Sequence, residues 1–172
     1  SRLSQLDDVG RKLLTEILQK NLMTTPKERL DNNVVAEKLA RMCAGDNQDA
    51  LDYLYMISSI TRVIDDIYDQ DQVVNRDTLL TILEMLFIKL PINPFYISNQ
   101  DVLVSQHISM WNAWMAANAW EDGDKTEQIY AHVWRDTLHE LCPIVALLTQ
   151  DYEAMKHVSN EMRYLYKKDL GD

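Results

Sequence analysis

The sequence predicts an all-α protein, a single-domain helical bundle of about seven helices spanning residues 1–172. Three observations point there. Apolar residues recur at the helical period over long stretches. No segment shows the sustained alternation of a strand. The chain holds only four glycines and four prolines, and most stand where a helical pattern stops.

The first helix is expected from about Leu3 to Met23, with Leu13, Leu14, Ile17, Leu18 and Leu22 forming an apolar stripe. Gly10 weakens its early part. Thr25-Pro26 supplies a cap and a first-turn proline for the second helix, which ends near Gly45. Asp46 or Asn47 caps the third, whose stripe of Leu51, Leu54, Tyr55, Ile57, Ser58, Ile60 and Thr61 leads toward Asp69. Asn75 and Asp77 open a fourth, strongly apolar helix running to Leu90, and Pro91 and Pro94 then make a short rigid loop. The fifth spans about Asn99 to Asp122 and stops at Gly123. The sixth runs from Thr126 to Thr149 with a kink at Pro143. The seventh runs from Asp151 to Leu170, and Gly171 follows. Short connections between neighbours predict an up-and-down bundle.

Charge and composition restrict what such a bundle can do. The formal net charge of -10 argues against nucleic acid as a partner and against binding an anionic membrane by charge alone. Val102 to Trp120 carries no formal charge and is long enough to consider as a membrane span. Ser105, Gln106, His107, Asn112 and Asn118 within it favour a central buried helix instead. Cys43 and Cys142 match neither a zinc spacing nor a redox motif, so two buried free thiols in a reducing compartment are expected. The N-terminus has no signal-peptide pattern, which fits a cytoplasmic protein. A chain that starts at Ser1 and stops at Asp172, directly after a helical pattern, also fits a piece of a longer protein.

The most informative segment is Val63-Ile64-Asp65-Asp66-Ile67-Tyr68-Asp69. Asp65 and Asp69 are one turn apart and share a face. Like charges at that spacing repel, and a helix C-terminus already carries partial negative charge. A divalent cation relieves both penalties, and Mg²⁺ commonly shares its shell between carboxylates and substrate phosphates. The segment resembles the aspartate-rich DDxxD motif of class I terpene and isoprenyl diphosphate synthases, in the form found in plant terpene synthases. That resemblance implies an all-α, isoprenoid-synthase-like bundle around a deep pocket. It implies Asp65 and Asp69 as Mg²⁺ ligands, Asp66 as a ligand or a group behind them, and an isoprenoid diphosphate as substrate. The match covers about eight residues. The family's second metal motif has no counterpart after Asp71, so a partner in a dimeric site is one way to complete the chemistry.

Two further features extend the resemblance. Arg163-Tyr164 is similar to the Arg-Tyr pair near the C-terminus of microbial terpene cyclases, where the arginine contacts diphosphate, and Lys167 and Lys168 follow. His107, Trp111, Trp114, Asn118 and Asp122 fall on one helix face that could line a pocket, since indole faces stabilise cations. The same tryptophans also read as ordinary core.

A competing constellation is His132, Asp136, His139 and Glu140, in which Asp136-x-x-His139 resembles the Glu-x-x-His element of carboxylate-bridged di-metal bundles. The favoured reading is Mg²⁺-dependent handling of an isoprenoid diphosphate through Asp65, Asp66 and Asp69, with Arg163, Tyr164, Trp111, Trp114 and Asn118 toward the substrate. The rivals are a non-enzymatic helical interaction protein, such as a homodimer, and a di-metal bundle enzyme. No catalytic base or nucleophile is legible.

Overall fold

The computed structural model describes residues 37–70 and 73–169. Among them every regular element is helical. No described helix is long and apolar enough to cross a membrane. The first expected helix, Thr25-Pro26, Asp71 and Gly171 lie outside the described residues. The chain divides into two compact units, Ser1–Met42 with Asp46–Ile97, and Cys43–Gly45 with Ser98–Asp172.

In the first unit, residues 37–44 are helical (α1), the last two belonging by contacts to the second unit. The long helix α2 covers Gln48–Asp69. Asn47 caps it by accepting a 2.9 Å hydrogen bond from the Ala50 amide. Its buried face runs through Leu51, Tyr53, Leu54, Met56, Ile57, Ile60 and Val63. The expected stripe was offset in part. Ser58 is exposed, and Tyr55 and Thr61 are only half-buried, because Tyr53 and Met56 occupy the centre of the face instead.

Helix α3 covers Arg76–Glu84, capped by Asn75, which accepts from the Thr78 amide at 2.8 Å. It does not continue as an α-helix to Leu90. Met85–Lys89 forms a π-helical turn, closed by the Leu90 amide donating to the Met85 carbonyl at 2.8 Å. Both α3 and this turn pack on α2. The expected rigid loop contains a short helix, α4, over Pro94–Ser98. Asn93 explains it. Its side-chain oxygen accepts from the Tyr96 amide at 2.8 Å, its amide donates to the Asp49 carbonyl at 2.9 Å, and Pro94 suits a first helical position. Tyr53 then meets Phe95 and Tyr96 at ring separations of 5.5 and 6.0 Å.

The second unit holds two helical hairpins. Helix α5 covers Gln100–Trp120 and packs on α6, Lys125–Arg135. The turn between them is closed by a capping box, in which Asp124 accepts from the Thr126 and Glu127 amides while Glu127 accepts from the Asp124 amide. The single long helix expected over 126–149 is broken. Asp136–Glu140 is a 3₁₀ turn and Leu141–Thr149 is a separate helix, α7. Pro143 is the physical reason, since it has no amide to offer the His139 carbonyl and its ring crowds that turn. Helix α8, Tyr152–Asp169, packs back on α7.

Candidate functional site

The acidic motif occupies the last two turns of α2, and its aspartates face different ways. Asp66 is 8% exposed and lies 3.4 Å from the Arg62 guanidinium. Asp65 is half-buried and Asp69 is exposed. The turn ends at Gln70 in the left-handed conformation, φ 55°, and no basic residue stands in the last turn. Asp65 and Asp69 therefore share the accessible face, as the one-turn spacing requires, while Asp66 is turned toward Arg62. Among the described residues, no group of three or more His, Cys, Asp or Glu is placed to hold a metal ion. Two carboxylates with waters and phosphate oxygens remain an ordinary donor set for Mg²⁺.

The residues expected to face a substrate lie in the second unit. Trp111 and Trp114 touch each other, ring centres 5.2 Å apart. Asn118 accepts a 3.0 Å hydrogen bond from Arg135, and its buried amide nitrogen has no protein partner among the described residues. Arg163 is held by Glu140 at 2.8 Å and contacts Ser159, and Tyr164 is exposed. The side chains of Lys167 and Lys168 lie outside the described ones. A cleft of about 570 Å³ opens in this unit. It is lined by Gln106 and Ser109 of α5, Thr137 and Glu140 of the 3₁₀ turn, Pro143 and Ile144 of α7, and Met155, Lys156, Ser159 and Asn160 of α8. The two tryptophans and Asn118 do not line it.

The histidine and carboxylate constellation is dispersed by the break in the helix. His132 is exposed on α6, Asp136 approaches His139 only to 3.9 Å, and Glu140 is engaged by Arg163. Burial lowers the pKa of His139 below its ordinary 6.5, against the opposing pull of Asp136 and Glu140. Burial likewise lowers that of His107.

The largest departure from expectation is α5 itself. A central buried helix was expected, yet only one side is buried, along Leu103, Met110 and Ala117. Beside that side runs a second stripe at alternating four- and three-residue steps: Val104, Ile108, Trp111 and Met115. Its last three members are 65%, 55% and 50% exposed. The spacing is legible in the sequence, but the inner stripe 103–107–110–114–117 has the same spacing, so periodicity alone could not say which would be covered. In the first unit, Leu79, Leu80, Leu83, Leu86, Phe87 and Ile88 are exposed as well. Comparisons with known protein families, curated proteins and solved structures give no match for this chain.

Proposed function

We propose that this protein works by helix association, and that the outward stripe of α5 pairs with a second copy of the chain. The observation that carries this is Ile108, Trp111 and Met115 standing exposed on successive turns of a helix whose adjoining side is already buried. Exposed apolar surface of this kind is uncommon on a monomer and marks an interaction face. Four-three spacing of apolar residues is a seam that a like helix can fill. Charge favours this place over others for a second copy. Two chains of net charge -10 repel, and Val102 to Trp120 is the longest stretch without a formal charge, so two copies meet there with least repulsion.

Sedimentation equilibrium of the whole protein tests the proposal. A dimer is expected for the wild type, and a monomer with unchanged helical circular dichroism for Trp111→Asp with Met115→Asp. A wild type that stays monomeric at high micromolar concentration would sink it. A dimer dissociated by Leu83→Asp with Phe87→Asp, but not by the α5 changes, would move the interface to α3 and the π-helical turn after it.

A second reading rests on a separate observation, the shared accessible face of Asp65 and Asp69 on a helix end with no basic residue in its last turn. In it these carboxylates hold Mg²⁺, which takes the diphosphate of an isoprenoid substrate, as the likeness to class I terpene synthases suggests. Mg²⁺ bound there would neutralise charge on a departing diphosphate. Arg163, Tyr164, Trp111, Trp114 and Asn118 belong to the other unit, so this reading rests on the two carboxylates alone. Thermal unfolding with Mg²⁺, pyrophosphate and both together tests it. A ligand at 100 times its dissociation constant adds about 2.7 kcal/mol of stability. The expected rise occurs only with both present and disappears in Asp65→Asn with Asp69→Asn. No shift at saturation rules the site out.

A further inference from the structure

The two cysteines are far apart in sequence, and the fold brings them together. Cys43 stands in the last turn of α1 and is fully buried, while Cys142, on α7, is partly exposed. The end of α7 grips the backbone of Cys43. The Thr149 hydroxyl donates to its carbonyl at 2.9 Å and the Gln150 side-chain amide donates to the same oxygen at 3.2 Å. Cys142 lies two turns before Thr149, hence on the same face of α7. Between them stands Ala146, fully buried and too small to separate Cys43 from that face. The two thiols share a hydrogen bond.

We propose that Cys43 and Cys142 form a redox-responsive dithiol, which closes to an intramolecular disulfide by exchange with a small-molecule disulfide of the glutathione class. Cys142 is the attacking group. Accepting the hydrogen bond from Cys43 favours its thiolate, against burial and the charge of Glu140. The same hydrogen bond, together with burial, keeps Cys43 protonated. The Cys142 thiolate attacks one sulfur of the small disulfide, forming a mixed disulfide and releasing one small thiolate. Cys43, giving up its proton, then attacks the Cys142 sulfur and expels the second. The protein loses two hydrogens and two electrons, and one small disulfide becomes two small thiols. The new bond joins Cys43 to α7 across a loop on the order of a hundred residues, long enough to restrict the unfolded chain strongly.

The test incubates the folded, full-length protein at a series of oxidised-to-reduced glutathione ratios and follows intact mass, peptide mapping and thermal unfolding. Expected at oxidising ratios is a monomer lighter by two hydrogens, peptides containing residues 43 and 142 linked to each other, and a Tm higher by several degrees. Added thiol reverses all three. Cys43→Ser should halt at a mixed disulfide on Cys142, and Cys142→Ser should remain unmodified, because Cys43 alone is buried. The wild-type mapping decides the matter even if a variant fails to fold. Two thiols that stay free at oxidising ratios in the native protein would overturn the proposal. So would a persistent mixed disulfide on the wild type, or a link formed only between chains.

Discussion

Gly45 and the two half-buried histidines show how much single residues decide here. Gly45 follows α1 in the left-handed conformation at φ 55°, where a side chain is strained. An added Cβ would also come within 3.1 Å of the Gln150 side chain, which donates to the Cys43 carbonyl. Gly45→Ala is therefore expected to cost about 1–2 kcal/mol, a drop in Tm of a few degrees, measured by thermal or urea unfolding. His107 and His139 titrate below their ordinary 6.5 because burial disfavours the charged ring. The unfolded chain then binds protons that the folded one resists. Their contribution is intact above pH 6.5 and is lost as pH falls from there through the lowered values. The Tm should decline between pH 7 and pH 5, and His107→Gln with His139→Gln should flatten that decline. An unchanged slope in the double variant would place the acid sensitivity elsewhere.

At the scale of elements, boundaries follow local chemistry wherever a cap or a proline is present. Asn47, Asn75 and Asp124 each begin a helix through a side-chain oxygen. Asp124 does most, since it satisfies two amides and is itself satisfied by Glu127 in return. Asp124→Ala should destabilise the α5–α6 hairpin by about 1 kcal/mol. Native-state hydrogen exchange reads this directly, as faster exchange in the first turn of α6 with α2 unaffected. Pro143 acts differently. It does not bend one helix but separates two, leaving a 3₁₀ turn that places Glu140 2.8 Å from Arg163. Arg163 was a diphosphate candidate by sequence resemblance, and its guanidinium is already held by that carboxylate.

At the scale of the whole molecule, the excess of acid and the exposed apolar stripe oppose each other. Twenty-seven acidic residues face seventeen basic ones, so any pair of copies meets against repulsion. Salt screens that repulsion within about 8 Å at physiological strength and leaves apolar contact largely intact. The dimer proposed through α5 should therefore tighten as sodium chloride rises from 50 to 500 mM, roughly severalfold. Sedimentation at both salts measures it. Weakening with salt would mean that ion pairs, not the α5 stripe, hold the copies together.

The sequence by itself determined that this chain is helical. Helical periodicity and sparse glycine and proline are local signals, and the caps at Asn47 and Asn75 act within three residues of themselves. It also determined that Asp65 and Asp69 share a face, because helix geometry alone requires it. Tertiary structure decided what local rules leave open. Asp66 turned toward Arg62, though i,i+4 spacing permitted the pair without requiring it. Tyr53 rather than Ser58 joined the core of α2, because burial depends on what packs against a face as well as on its period. On α5 two stripes of equal spacing competed, and packing covered Leu103 and Met110 while leaving Ile108 and Trp111 outside. Cys43 met Cys142 across about a hundred residues of chain, a contact no short-range pattern could encode. Periodicity fixes which residues share a face, and only the neighbours supplied by folding fix which face is covered.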